Sequence, residues 1–307
     1  MSIARFLPWS FLLVAASVQS AADVVLPSLA ADLVCYYDFD HPVEADSSKE
    51  MDLGRSGTVL HLVNGGASMR IEDAAYPSAA QSLQTQQVNA AVNGNDDWKA
   101  GSYDANGVAT LDAFNAVAGI TMMGWVKPTG ANPSLNSNTQ EPADLYGAVG
   151  LFGVLSGTSE GHLVRALLEI IQVDDTLRLV ALGRREDAGN SLVLAAEEDW
   201  EALLPVDTWT HLTASFNFDA GTMALYRNGE AVPAYYTAAG DRWEVIGDPE
   251  PDVTAASDPA GIKIGGSYPQ NTVERNTFNG RFDDLMFFDR SLTATEVQAQ
   301  FARFSAL

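Results

Sequence analysis

Phe278-Asn279-Gly280-Arg281-Phe282-Asp283-Asp284-Leu285-Met286-Phe287-Phe288-Asp289-Arg290-Ser291-Leu292-Thr293-Ala294-Thr295-Glu296-Val297 reads as an apolar strand, a turn and the start of a helix. The strand, Arg281 to Phe288, carries two adjacent carboxylates. Thr293 can cap the helix, Glu296 completes a capping box, and Val297 and Phe301 share a face, so a helix is predicted from Thr293 to Phe304. It is the clearest helical signal in the chain.

Working back from that strand, the pattern is β. Ile262-Lys263-Ile264 is a short strand. Thr222 to Tyr226 and Ala231 to Tyr235 flank Arg227-Asn228-Gly229-Glu230, and Asn-Gly favours the positive φ angles of a tight hairpin turn. Between Thr208 and Phe218, Leu212, Ala214, Phe216 and Phe218 alternate with polar positions. Arg165 to Val173 and Thr176 to Leu182 surround Asp174-Asp175, another hairpin signal. Gly119 to Lys127 is a strand stopped by Pro128. Leu111 to Val117 has room for a turn or two of helix. Leu33 to Asp40 opens the pattern with aromatic residues and ends in carboxylates. Asn132 to Glu141 and Asp241 to Pro259 are polar and Pro-containing, hence loops. Many short strands at regular spacing, without repeats or an internal linker, predict one all-β sandwich.

The chain has 307 residues, 47% of them hydrophobic, enough for a sizeable core. Its formal net charge of -23 repels nucleic acid and anionic lipid, so no nucleic-acid partner is expected. Arg5, the apolar run Phe6 to Val18 and the small residues Ser20-Ala21-Ala22 form a secretory-signal pattern over residues 1–22. That run is too short to span a bilayer comfortably, and no transmembrane segment is expected after its removal. Residues 23–31 are read as a linker and 32–305 as the folded domain. The single cysteine, Cys35, lies in an apolar strand and is expected to be a buried small hydrophobe. Export without an internal disulfide points to a secreted, periplasmic or envelope protein of bacterial type.

Three segments together resemble the LamG-like jelly-roll family, within the concanavalin A-like lectin/glucanase fold. The first is Leu33 to Asp40 followed by Asp52-Leu53-Gly54-Arg55-Ser56-Gly57. The second is Ile120-Thr121-Met122-Met123-Gly124-Trp125-Val126-Lys127-Pro128. The third joins Thr208-Trp209-Thr210-His211-Leu212, Leu225-Tyr226-Arg227-Asn228-Gly229 and Ile264-Gly265-Gly266-Ser267 to the closing strand. The resemblance spans roughly Ala31 to Phe304 and implies two antiparallel sheets in a jelly roll, with a short C-terminal helix. Gly130 to Gly161 and Thr237 to Gly261 look longer than the family core, and added loops are where individual function resides.

The resemblance also implies a structural calcium ion at one edge, held by acidic residues of the opening and closing segments. By position these are Asp40, Asp52 and Asp283, with Asp284 as the rival to Asp283. Trp125 and Trp209 are expected to fill the core. His211 is expected to be buried and hydrogen-bonded. Gly265 and Gly280 are expected to relieve close approaches.

The fold invites carbohydrate as first ligand class and protein surfaces as second. Sugar rings stack on aromatics set in polar loops. Trp98 follows Asn93-Gly94-Asn95-Asp96-Asp97, Tyr103 is close behind, and Trp243 sits between Arg242 and Glu244 in the later loop. The competing reading is that each ring pins its own loop.

Catalysis finds little support. Gly157-Thr158-Ser159-Glu160-Gly161 with His162 matches a nucleophile elbow, but the parallel α/β context is missing and the match is read as accidental. Glu169 with Asp174 and Asp175 has the wrong spacing for a glycosidase pair. Tyr146, His162 and Arg165 could suit a polysaccharide lyase, but no spacing supports them. One cysteine rules out a Cys-based zinc site. The expectation is a non-catalytic binding or adhesion module, with a polysaccharide-degrading enzyme or a structural envelope protein as alternatives.

Overall fold

The computed structural model describes residues 24–88, 96–115, 117–130, 149–155, 165–185, 191–237, 260–266 and 276–307. These form two sheets packed face to face. The smaller, eight-stranded sheet runs β15 (Glu230–Ala231), β14 (Thr222–Arg227), β13 (Thr210–Asn217), β8 (Gly119–Pro128), β19 (Gly280–Phe288), β6 (Ser82–Thr85) and β5 (Arg70–Ile71). Its eighth strand, β1 (Leu33–Tyr37), also pairs with β19. The larger, eleven-stranded sheet runs β16 (Ala234–Tyr236), β12 (Ser191–Asp199), β11 (Thr176–Arg184), β10 (Ala166–Val173), β9 (Val149–Leu155), β17 (Gly261–Ile264), β7 (Lys99–Tyr103), β4 (Leu60–Val63), β3 (Asp46–Glu50) and β2 (Pro42–Val43). The eleventh, β18 (Asn276–Thr277), lies parallel to β9. Among the described residues the α-helices are α1 (Trp200–Leu203) and α2 (Ala294–Phe304).

The two chain ends meet as the opening and closing motifs imply. β1 and β19 are antiparallel, with Leu33 opposite Phe288 and Tyr37 opposite Leu285. The register slips once in each strand, and on β19 the slip lies between Asp283 and Met286, at Asp284 with φ 49°. The bulge keeps Phe282, Leu285 and Phe287 in the core while Met286 and Phe288 face outward.

Alternation builds the core. Leu212, Ala214, Phe216 and Phe218 all point between the sheets, as their period of two predicts. Phe152 of the larger sheet meets Phe282 and Phe287 of the smaller one edge-on, each at 6.2 Å. Fully burying one such side chain contributes about 1.5–3 kcal/mol. The turn signals hold as well. Asp174 and Asp175 join β10 to β11 with φ 50° and 64°, and Asn228-Gly229 join β14 to β15 with φ 51° and 79°. Thr293 and Glu296 form the capping box of α2. The expected turn near Leu111 is a 3-10 turn, Ala109–Phe114.

A second apolar cluster covers the outer face of the smaller sheet. Val24, Val25 and Leu29 pack there with Met123, Met286, Phe288, Val297 and Phe304. The segment 24–31, read from the sequence as linker, is therefore packed into the domain. The Gln300 side chain holds it, accepting from the Leu26 N–H at 2.9 Å and donating to the Val24 carbonyl at 3.0 Å.

Three expectations about single residues need correction. Trp125 and Trp209 are half-buried and do not fill the inter-sheet core. Trp125 lies in the outer layer against Phe301 and Phe304, because its neighbours Gly124 and Val126 take the inward positions. Trp209 lies beneath the Lys127 ammonium, 5.9 Å from its ring centroid. His211 is buried as expected, but neither ring nitrogen has a hydrogen-bond partner among the described residues. Cys35 is buried, with its sulfur 3.2 Å from the Ser56 hydroxyl. Added side-chain atoms at Gly265 and Gly280 would strike Thr85 and the Phe278 ring, which explains the glycines there.

Candidate functional site

Pairing in the larger sheet assembles one cross-strand row from distant parts of the chain. Lys49 lies opposite His61, His61 opposite Gly101, Gly101 opposite Lys263, Lys263 opposite Gly153, and Gly153 opposite Leu167. Residues opposed in antiparallel strands share a face. The alternate residues Leu62, Ala100, Ile262 and Ile264 point into the core, so this row points away from it. Tyr103 and Lys99 stand two residues either side of Gly101 on β7 and share that outer face. His61 is exposed, Lys49 and Tyr103 are half-buried, and Lys99 and Lys263 are buried. The face is therefore open at its β3–β4 edge and covered toward the middle of the sheet. Gly153 makes room for its neighbour on β10, since an added Cβ there would lie 2.9 Å from Leu167 Cδ1.

The three expected ligand-binding aromatics separate. Tyr103 lies on this outer face. Trp98 has the opposite sense on the same segment. Its backbone bridges to Gln86, and its ring packs on the core so tightly that a Cβ on Gly65 would lie 2.7 Å from Trp98 Cδ2. Trp98 pins its loop. Trp243 lies outside the described residues, as do Tyr146 and the Gly157–His162 stretch.

The acidic rim gathers a different set from the one expected. Asp283 and Asp284 are both fully buried on β19. Asp283 accepts from the Ala75 N–H at 2.9 Å and from the Asp284 N–H at 3.0 Å. Asp284 accepts from the Tyr36 hydroxyl. Burial raises both carboxyls above the ordinary carboxylate range, Asp284 to about 7, and the charges of Asp38 and Asp40 push the same way. Asp40 has both oxygens engaged, by the N–H groups of Ala80 at 3.0 Å and Gln81 at 2.8 Å. Asp52 stands apart and closes a turn. It accepts from the N–H groups of Tyr36 at 2.8 Å and Gly54 at 2.7 Å, and from the Ser56 hydroxyl at 2.6 Å. Among the described residues no three His, Cys, Asp or Glu side chains are grouped to hold a metal ion. Asp40, Asp52 and Asp283 do not come together as such a group.

Sequence reasoning missed Asp38, Tyr36 and Tyr76 at this rim. The signal for the first two was the alternation Tyr36, Asp38, Asp40, which sets three polar-tipped residues two apart. Asp38 holds His41 Nδ1 at 2.8 Å. Tyr76 adds its influence on Asp284 from a loop whose approach no local pattern announces. His61, Lys49 and Lys263 were missed too, since each is unremarked in its own strand.

A family described as the concanavalin A-like lectin/glucanases superfamily, of laminin-G type, matches residues 100–298. No curated protein matches the chain. Among solved structures, the binding domain of Botulinum neurotoxin DC in complex with rat synaptotagmin II superposes with TM-score 0.53 at 11% identity, covering 90% of this chain and 52% of that one. The same domain in complex with SialylT gives 0.53 at 12% identity with the same coverage. The binding domain of Botulinum neurotoxin serotype G gives 0.53 at 12%, covering 88% and 50%. The chain thus spans about half the length of these structures, and at such identities the likeness is one of fold.

Proposed function

We infer that this chain, which belongs to the concanavalin A-like lectin/glucanase superfamily, is a carbohydrate-binding module that takes its ligand on the outer face of the larger sheet. One observation carries the reading: half-buried Tyr103 shares the open end of that face with exposed His61. An aromatic body supplies apolar area for a sugar ring, and neighbouring donors satisfy its hydroxyls.

Export and the absence of catalysis belong to the same proposal. The first rests on the leader pattern of residues 1–22, the second on the lack of any carboxylate pair or nucleophile set with workable spacing in the sequence. A polysaccharide screen of the full chain, scored for both binding and product release, tests the binding and the catalytic parts with one set of samples. Retention on glycans, lost in Tyr103→Ala, supports the module. Release of reducing ends or unsaturated uronates replaces it with an enzyme. A blank screen with a co-purifying protein replaces it with protein adhesion.

A further inference from the structure

The N-terminal segment 24–31 packs into the domain from its first described residue. Val24 and Val25 are 1% and 3% exposed, and Leu29 is fully buried. The first few residues of most domains are loose unless something ties them down. Here the tie is Gln300 on α2, which accepts from the Leu26 N–H at 2.9 Å and donates to the Val24 carbonyl at 3.0 Å. Arg290, just before α2, fixes the other end. It donates to Asp32 at 2.6 Å and to Glu296 of the capping box at 2.7 Å. Arg55 adds a bond to the Ala31 carbonyl at 2.8 Å.

The leader pattern ends at Ser20-Ala21-Ala22, so cleavage after Ala22 leaves Asp23 as the sole residue ahead of buried Val24. A peptidase holds its substrate extended across the scissile bond. Cleavage beside a packed segment therefore proceeds through the opened state of that segment and slows with its population. We propose, on the export reading above, that docking of segment 24–31 against α2 shields the processing point, so that the leader is removed only while the C-terminal helix is undocked.

Chain order makes that window. The two bonds of Gln300 close across 274 and 276 residues. α2 is the last element of the chain, so every strand is made before it. At about 5–20 residues per second, roughly 15–55 s separate the synthesis of Leu26 from that of Gln300. The processing point stays open throughout that time, because the apolar layer that receives Val24, Val25 and Leu29 needs Val297 and Phe304 of the same helix. Docking then follows cleavage. The apolar contact of the segment is itself incomplete. A cavity of about 460 Å³ lies between Val25, Pro27 and Ala30 on one wall and Leu33, Leu53 and Arg55 on the other. The hold on the segment therefore depends on the Gln300 bonds as well as on burial.

The test uses the full chain with its leader, unfolded in urea and diluted to refold. A detergent-solubilised bacterial leader peptidase is added either at the moment of dilution or after refolding is complete. Cleavage is expected in the first order, and at least about a hundredfold slower cleavage in the second. Gln300→Ala should return about tenfold of the lost rate to the refolded chain. Leu29→Ala, well beyond the scissile bond, should act in the same direction. A urea melt of each variant separates release of the segment from loss of the whole fold. Equal rates in the two orders overturn the proposed shielding and leave the export reading standing. Refolded variants as resistant as wild type overturn it too, since the shield would then owe nothing to this segment. No cleavage in either order overturns the export reading and the shielding together.

Discussion

His211 and Trp125 face each other across adjacent strands of the smaller sheet, with ring centroids 5.2 Å apart and planes at 77°. Phe301 and Phe304 of α2 close over the imidazole at 5.5 and 5.3 Å. Three aromatic rings thus surround the imidazole, and burial lowers the His211 pKa to about 3. A neutral imidazole is trapped beneath the C-terminal helix.

A pH dependence follows from that trap. The unfolded chain takes up a proton on His211 below about 6.5, while the folded chain resists until about 3. Stability from this group is therefore complete above the unfolded value and is lost as pH falls through that window. Between about pH 7 and pH 5 the loss is on the order of 2 kcal/mol. Glu50 and Asp284, whose carboxyls burial raises to about 7, act in the opposite sense over the same range. The comparison is accordingly wild type against His211→Leu in urea melts at both pH values. The variant should gain stability relative to wild type at pH 5, and an unchanged difference between the two pH values would refute the account.

Asp52 is predicted to act by closing its turn. Asp52→Ala strips the acceptor from two backbone N–H groups and the Ser56 hydroxyl, at a cost of about 2 kcal/mol. Melts in EDTA and in excess calcium should show the same loss. A loss seen only with calcium present would make Asp52 a metal ligand after all.

Gln300 ties the N-terminal segment to α2. Replacing it with Ala leaves the Leu26 N–H and Val24 carbonyl without that partner, and a loss of about 1–3 kcal/mol is expected. Limited proteolysis should then cut first between Val24 and Asp32. Equal protection in wild type and variant would show that apolar packing alone holds the segment.

Trp98 and Tyr103 should separate stability from binding. Trp98→Ala empties the space above Gly65 and should cost about 3 kcal/mol or more while folded protein still binds glycan. Tyr103→Ala should leave the melting midpoint nearly unchanged and abolish retention. The reverse pattern would exchange their roles.

The sandwich itself was readable along the chain, because alternation, hairpin turns and helix caps are local rules. Leu212 to Phe218 show their burial through their spacing, and Asp174-Asp175 and Asn228-Gly229 show their turns through conformations that few residues adopt. The meeting of β1 with β19 followed from motif order. What folding alone could decide was which distant residues share a face. Lys49, His61, Gly101 and Lys263 belong to four strands scattered from the first quarter of the chain to the last, and each looks ordinary in place. Their alignment depends on cross-strand register, where a slip of one residue turns every side chain to the opposite face. The bulge at Asp284 acts the same way at the rim, turning a plain Asp-Asp pair into two buried carboxyls with separate partners. Register is a property of paired strands, and no single strand carries it.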